Sequence, residues 1–215
     1  MENLSQKDSK VEVKGFEARH YDLLMNLITL GSYSLFIRKA IRELNLKSGE
    51  DIVDLGSGTG RNACLMLKEI GKEGRITGIE IGEVMKEKFL KKCNFPNIKL
   101  IDRKIDEPFK LDKKFDRAFI SFVLHGFIHE KREIILENVK HMLKPGGKFS
   151  ILDYNEFDVD NSSFFVKFAI RKIECPLAED FIERDWKTIL SKYGFIKFEE
   201  SFYFKKKVRL LTAFL

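Results

Sequence analysis

The chain contains only three cysteines in 215 residues, and their number and spacing exclude two classes of protein. Cys64, Cys93 and Cys175 are odd in number and show no CxxC spacing, so the sequence predicts neither a zinc or other metal site nor a framework of disulfides. Cys64 and Cys93 fall within helical patterns and are expected to be buried thiols of a protein that works in a reducing cytoplasm.

Long apolar runs are also missing. Residues 1–15 are polar, charged and without periodicity, so they are expected to form a flexible N-terminal arm rather than a signal peptide. No stretch approaches the ~20 apolar residues that are needed to cross a bilayer, so no membrane span is predicted. We expect a cytoplasmic protein.

The chain has no excess of acidic residues: 39 basic residues outnumber 33 acidic ones, so the net charge is +6. A basic protein attracts anions, nucleic acid among them. The positive residues are spread along the chain, however, and the densest runs, such as Lys205-Lys206-Lys207, are short. This pattern favours a solvated surface over a nucleic-acid interface.

Strands and helices are predicted to alternate, which is typical of an α/β fold with helices on both faces of a mostly parallel sheet. Residues 16–215 are expected to form a single domain, and its last two strands are close enough to form an antiparallel hairpin. Two helices are expected within 16–46, and two more carry their apolar residues at helical spacing, Ala63, Met66, Leu67 and Ile70 in one and Met85, Phe89 and Cys93 in the other. Further helices are expected at Glu130–Leu143, about Ser162–Ile173 and about Ala178–Tyr193. The seven predicted strands are Asp51–Leu55, Arg75–Glu80, Asn97–Ile105, Phe115–Phe122, Lys148–Asp153, Phe195–Phe204 and Val208–Phe214.

A glycine-rich loop follows the first predicted strand and precedes a helix. Its glycines allow a sharp turn and a close approach of a ligand to the backbone, and the helix start offers N–H donors. The dinucleotide pattern G-x-G-x-x-G/A needs a small residue where this chain has Arg61. Asp54, two residues before the first glycine, would repel a pyrophosphate but attract an ammonium group, which S-adenosylmethionine (SAM) carries and NAD does not. The residues concerned are Asp54, Gly56, Ser57, Gly58, Thr59 and Gly60.

Glu80 ends the second predicted strand and is the second acid of this pattern. A carboxylate at that position can accept hydrogen bonds from ribose hydroxyls. The neighbouring Ile81 is placed to cover one face of an adenine ring. Together with the loop, these residues predict SAM as the cofactor.

With these residues in place, the sequence resembles the class I SAM-dependent methyltransferases, and most closely the ubiquinone/menaquinone-biosynthesis C-methyltransferase family. Three stretches carry the resemblance. Tyr21–Met25 with Thr29, Tyr33 and Phe36 is similar to the family's Tyr-Asp-x-Met-Asn…Ser…His…Trp signature. Asp54–Gly60 with Glu80 is the second stretch, and His141–Gly147 with Asp153 is similar to Arg-Val-Leu-Lys-Pro-Gly-Gly…Glu.

The resemblance implies a Rossmann-like class I methyltransferase fold with a seven-stranded sheet. It implies that Tyr21, in an N-terminal helical cover at 16–46, folds over the cofactor, and that helices within 158–193 cover the acceptor. The cofactor pocket is expected to include Thr59, Glu80, Lys104, Ile105 and Ser121, although Lys104 replaces a small polar or acidic residue of the family. After Ser121-Phe122 the family has Gly-Leu-Arg-Asn, where this chain has Val123-Leu124-His125-Gly126.

The predicted function is methyl transfer from SAM to a small molecule, aromatic or lipophilic, at carbon or oxygen. His125 is the candidate base, because histidine titrates near neutrality and follows the fourth strand at its carboxyl end; His129 is a weaker candidate. The apolar residues Phe164, Phe165, Phe168 and Ile173 are expected to line the acceptor pocket. The alternatives are a methyltransferase that acts on RNA or protein, a nicotinamide-dependent oxidoreductase, and a nucleoside-binding module without activity.

Overall fold

A computed structural model describes residues 32–162, 167, 170 and 177–215. Seven strands form one sheet in these residues: β1 (Asp51–Leu55), β2 (Arg75–Ile79), β3 (Ile98–Ile101), β4 (Phe115–Ser121), β5 (Leu143–Tyr154), β6 (Lys197–Tyr203) and β7 (Val208–Phe214). Their order across the sheet is β3-β2-β1-β4-β5-β7-β6. β1 to β5 pair in parallel, whereas β7 is antiparallel to both β5 and β6. The predicted mostly parallel sheet with a closing antiparallel hairpin is confirmed.

Six α-helices of the described residues flank this sheet: α1 (Ser32–Glu43), α2 (Arg61–Ile70), α3 (Glu83–Lys92), α4 (His129–Met142), α5 (Leu177–Ile182) and α6 (Trp186–Lys192). Their apolar residues recur at helical spacing. In α2, for example, Ala63, Met66 and Ile70 are three and four residues apart and are all buried. Each helix therefore packs one apolar stripe against the sheet or a neighbouring helix.

The sheet separates two apolar cores. Val53 and Leu55 of β1 belong to the core that includes α4, whereas Ile52 points to the opposite face of the sheet and belongs to the core that includes α1 and α2. Successive side chains of a strand point to opposite faces, so burial on both faces requires apolar residues at nearly every position. Asp54 is an exception: it points to the same face as Ile52 and is only 1% exposed, although its side chain is a carboxyl group.

Three predicted boundaries are wrong. The helix expected at 178–193 is two helices, because the Asp185 side chain accepts a hydrogen bond from the Thr188 N–H at 3.0 Å and starts α6 anew. β3 ends at Ile101 instead of Ile105. β5 begins at Leu143, so the Lys-Pro-Gly-Gly segment belongs to this strand, where Leu143 pairs with Phe115 across an irregularity in the ladder.

The expectation of two thiols at Cys64 and Cys93 is also wrong, because the structure joins them in a disulfide. Their Cα atoms are 5.9 Å apart, although 29 residues separate them in sequence. Cys64 lies in α2 and Cys93 directly follows α3, two helices that pack side by side. Sequence spacing does not report this proximity. Among the described residues, none of the helices has the length and hydropathy of a membrane span.

Candidate active site

The residues predicted to bind the cofactor meet at one edge of the sheet, where the parallel strands end. The glycine loop follows β1, Glu80 follows β2, and Ser121 is the last residue of β4. The chain runs outward from β1 through β2 to β3 on one side and through β4 to β5 on the other. Such a reversal of strand order opens a crevice at the carboxyl ends of the strands, which is where open α/β sheets bind ligands.

The loop Gly56–Gly60 is tightly packed from beneath. Gly60, the N-cap of α2, has a left-handed φ of 78°, and a Cβ there would lie 2.7 Å from the Cys93 sulfur. A Cβ on Gly56 would lie 2.8 Å from Val123. Only glycine fits these two positions, and the second contact shows that the glycine loop touches the loop that carries His125.

Asp54 is buried beneath the glycine loop. Among the described residues, its Oδ2 atom has no hydrogen-bond partner. Burial, and secondarily the charge of Glu80, raises the pKa of Asp54 from 3.8 to about 8. A buried carboxylate without a partner is costly, and a cationic group beside it would offset that cost. This unsatisfied atom fits the ammonium group of SAM.

The Glu80 carboxylate links the glycine loop to the short connection between β2 and α3. Its Oε2 accepts a hydrogen bond from the Gly58 N–H at 2.9 Å, and its Oε1 accepts from the N–H groups of Ile81 (3.0 Å) and Gly82 (2.8 Å). Each carboxylate oxygen has two lone pairs, so acceptor capacity remains for a ribose hydroxyl at Oε2. The side chain of Ile81 is 37% exposed beside it, which leaves an apolar surface accessible.

The two hydroxyl residues of the loop are buried and already bonded. Ser57 is held to Ile79 through its backbone N–H (3.0 Å) and its hydroxyl (3.4 Å). The ammonium group of Lys92, at the end of α3, donates to the Thr59 hydroxyl at 3.1 Å. These contacts fix the shape of the loop before a ligand arrives.

At the third strand, the predicted pair Lys104-Ile105 lies in the connection that follows β3. The Lys104 ammonium group reaches Glu107 at 3.0 Å, and Ile105 is buried. Asn138 of α4, which the sequence did not single out, holds this connection: its amide donates to the carbonyls of Ile105 (3.0 Å) and Glu107 (2.8 Å). The available signal was a polar residue, Asn138, beside Val139 and three residues after Ile135 on the predicted apolar face of this helix.

The loop after β4 brings the candidate base next to a buried carboxylate. Phe122 has a φ of 52°, an unusual value for a bulky residue and one that is often found at functional sites. His125 lies in a 3-10 turn (Leu124–Gly126), and its Nδ1 is 2.7 Å from Oδ1 of Asp153 in β5. The backbone N–H of His125 also donates a hydrogen bond to Asp153 Oδ2, at 3.3 Å. Asp153 is 1% exposed, so the ring is held by a carboxylate shielded from water.

A buried arginine supports the same turn. Arg132 of α4 donates to the carbonyls of Leu124 (3.1 Å) and His125 (3.0 Å), and it pairs with Asp180 of α5. Its guanidinium group is 5.3 Å from the ring centre of Phe181. Burial lowers the pKa of Arg132, and the hydrogen bond with Asp180 opposes this shift. Sequence reasoning missed Arg132, because charged residues at helical spacing usually face the solvent.

One further candidate, His129, borders this constellation, and the remaining predicted residues lie outside the described part of the chain. His129 is the first residue of α4, where burial lowers its pKa and its Nε2 is 3.8 Å from Glu133. Tyr21 and the proposed acceptor residues Phe164, Phe165, Phe168 and Ile173 are not among the described residues.

Curated relatives of this chain are quinone methyltransferases. It is 27% identical over 164 residues to a 2-phytyl-1,4-naphtoquinone methyltransferase of Nostoc sp. (strain PCC 7120), covering 74% of this chain and 70% of the relative. It is 31% identical over 143 residues to a demethylmenaquinone methyltransferase of Lactobacillus johnsonii, covering 65% of this chain and 58% of the relative. The match to the latter therefore spans little more than half of that protein.

Solved structures show the same fold at low identity. A SAM-dependent methyltransferase from Aquifex aeolicus superposes with a TM-score of 0.62 at 20% identity, over 83% of this chain and 88% of the other. Human N-acetylserotonin methyltransferase in complex with SAM gives a TM-score of 0.67 at 17% identity, over 92% and 55% of the two chains. The sequence profile of one family covers residues 4–180, and the chain therefore belongs to the ubiE/COQ5 methyltransferase family.

Proposed function

We propose that this enzyme transfers the methyl group of SAM to a ring carbon of a lipophilic, quinone-like acceptor, with His125 as the general base. The single observation that carries the proposal is the 2.7 Å contact between His125 Nδ1 and the buried Asp153, in a loop that touches the glycine loop. The relatives described above, a 2-phytyl-1,4-naphtoquinone methyltransferase and a demethylmenaquinone methyltransferase, support the acceptor class.

The cofactor is proposed to lie across the carboxyl ends of β1, β2 and β4. Asp54 would hold its ammonium group and Glu80 its ribose hydroxyls, while Ile81 and the Ile105 N–H would face the adenine. Thr59, Ser57 and the loop glycines would shape the pocket, and Ser121 would close it beside the methyl group. When bound, SAM would supply an electrophilic methyl group, and its sulfonium sulfur would become a neutral thioether on transfer.

The acceptor ring would need to be in its reduced, quinol form for one of its carbons to be nucleophilic, and that carbon would have to lose its proton once it carries the methyl group. The contact with Asp153 favours the tautomer that carries its proton at Nδ1, which makes Nε2 the basic nitrogen. Asp153 also stabilises the imidazolium that forms when His125 takes this proton. Arg132 contributes by fixing the turn, since a base must lie within hydrogen-bond reach of the proton.

The test is transfer of a labelled methyl from SAM to a demethylated naphthoquinol with a short side chain. We expect His125→Gln to lower kcat by about 100-fold or more, because general base catalysis contributes roughly 10²–10⁴. The affinity for S-adenosylhomocysteine should change little. The matched control is His141→Gln, because His141 is exposed and bonds to Glu137 on α4. Retention of activity in His125→Gln would exclude the base, and label found in RNA or protein alone would exclude the acceptor class.

A further inference from the structure

The Cys64–Cys93 disulfide lies directly beneath the glycine loop. Cys64 is in the first turn of α2, the helix that follows the loop, and its backbone N–H donates to the Gly60 carbonyl at 3.0 Å. The Cys93 sulfur is 3.0 Å from the same carbonyl oxygen, and a Cβ on Gly60 would lie 2.7 Å from that sulfur. The disulfide therefore contacts the last residue of the loop that is proposed to hold the cofactor.

The end of α3 makes further contacts with the same loop. Lys92, which precedes Cys93, donates from its ammonium group to the Thr59 hydroxyl at 3.1 Å. The Phe89 ring, one turn before Cys93, packs so closely that a Cβ on Gly60 would lie 2.9 Å from it. The positions of Thr59 and Gly60 thus depend on where α3 ends relative to the start of α2. The disulfide fixes that relation, with the Cα atoms of the two cysteines 5.9 Å apart.

The two sulfurs differ in their access to solvent. Cys93 is buried against the loop, with an exposed fraction of 4%, whereas Cys64 is only partly buried. Thiol–disulfide exchange requires that a thiolate reach one of the two sulfurs, so it begins at Cys64. Disulfides that solvent reaches are the ones that exchange readily, in contrast to fully shielded structural ones.

We propose that the Cys64–Cys93 disulfide is a redox site that exchanges with a dithiol reductant and thereby sets the affinity of the enzyme for SAM. A thiolate of the reductant attacks the Cys64 sulfur, and Cys93 leaves as a thiolate that takes a proton from water. The second thiol of the reductant then attacks the reductant sulfur of the mixed disulfide and releases Cys64. Two electrons and two protons pass to the protein, and the reductant becomes a disulfide.

Breaking the bond changes the loop because the separated sulfurs need more room. Non-bonded atoms lie roughly 3.5–4.0 Å apart, well beyond bonding distance. Gly60 blocks the Cys93 sulfur on one side, so a shift at the start of α2 pulls the loop away from Glu80, which accepts from the Gly58 N–H at 2.9 Å. If Cys64 instead rotates outward, α2 loses its covalent link to α3, and ligand binding must then order the loop. The oxidised protein is therefore the form with the higher affinity for SAM.

The proposal rests on the proposed function in one respect, namely that the glycine loop binds the cofactor. Coupling between two sites is reciprocal, so bound ligand must resist reduction by the same factor by which reduction weakens binding. Such coupling typically amounts to about fivefold to 150-fold. A tenfold difference corresponds to about 30 mV in the reduction potential of a two-electron couple.

The test is calorimetric titration of the full chain with S-adenosylhomocysteine, before and after reduction with dithiothreitol. We expect reduction to raise Kd by about tenfold and reoxidation to restore it. Cys64→Ser/Cys93→Ser should bind with the weaker affinity of the reduced protein under both conditions. In glutathione redox buffers, saturating S-adenosylhomocysteine should shift the unmodified protein toward the disulfide by the same factor.

Controls separate this effect from other consequences of reduction. Cys175→Ser removes the third cysteine of the chain and should keep the full response to dithiothreitol. Leu190→Ala destabilises the protein from a buried position in α6, away from the glycine loop, and should keep the affinity of the oxidised protein. Unchanged fluorescence of the buried Trp186, which belongs to the other core, reports that the reduced protein stays folded.

Several results would overturn the proposal. Equal affinity for S-adenosylhomocysteine in the two redox forms would do so, as would a disulfide that dithiothreitol reduces only in urea. Unfolding of the reduced protein would show that the disulfide is purely structural. Binding that responds to dithiothreitol without methylation of a naphthoquinol would refute the proposed acceptor alone, whereas methylation with equal affinities would refute the redox site alone.

Discussion

The unpaired carboxyl of Asp54 makes a specific prediction about proton release when the cofactor binds. In the ligand-free protein the pKa of Asp54 is raised to about 8, because the group is buried and lies near Glu80. At pH 7 roughly nine-tenths of these carboxyls therefore carry a proton. A bound ammonium group favours the ionised form, so the proton must leave as the complex forms.

The ligand's own amino group enters the same proton count. An α-amino group titrates above pH 7, so the amine is already mostly charged there and takes up little proton on binding. The net release at pH 7 is therefore close to the protonated fraction of Asp54, about 0.9 proton per site. At pH 9 Asp54 is already ionised, so this release should disappear.

The assay is isothermal titration calorimetry with S-adenosylhomocysteine in buffers that differ in ionisation enthalpy, since the dependence of heat on that enthalpy gives the proton count. Asp54→Asn should abolish the release at pH 7. Asp51→Asn is the matched control, because Asp51 starts the same strand but pairs with Lys113 at 2.6 Å. A proton count near zero in the unmodified protein at pH 7, or an unchanged count in Asp54→Asn, would refute the pairing of Asp54 with the ammonium group.

Three further predictions concern stability. The native Asp54 carboxyl keeps its proton up to about pH 8, whereas the unfolded chain loses it near pH 4, so its contribution to the free energy of unfolding falls as pH rises between these values. Relative to the unmodified protein, ligand-free Asp54→Asn should thus gain more stability at pH 8 than at pH 5 in urea titrations, by roughly 3–4 kcal/mol; equal gains would contradict the raised pKa. Reduction of the Cys64–Cys93 disulfide, which closes a 29-residue separation, should cost about 3.5 kcal/mol in the same assay, and Cys93→Ser should then be insensitive to reductant. Arg132→Leu should cost about 3–5 kcal/mol and lower kcat as well, because carbonyls of the His125 turn and Asp180 lose their partner; unchanged stability would contradict that role.

The sheet and the glycine loop were accessible from sequence because their signals are local. The spacing of Ala63, Met66 and Ile70 predicts a helix, and a glycine loop between a strand and that helix predicts a ligand site. The methyltransferase class, the SAM cofactor and the Rossmann-like fold are confirmed. The roles of the individual site residues stay proposals, with His125 the one on which the chemistry depends.

Contacts between residues far apart in sequence were not accessible. His125 and Asp153 are 28 residues apart, and they meet because β4 and β5 are neighbours in the sheet. Cys64 and Cys93 meet because α2 and α3 pack side by side, and composition alone suggested two thiols. Arg132 is charged, and its complete burial is explained by partners from other elements, namely the carbonyls of Leu124 and His125 and the carboxylate of Asp180.

The sequence by itself determined the elements, their order and the ligand-binding turn, since periodicity, glycine placement and helix starts act over a few residues. The tertiary structure decided which carboxylate holds the histidine, which cysteines join and which arginine is buried. These depend on strand order and helix packing, because burial and neighbouring charges, rather than residue type, set the partners and protonation of a polar group.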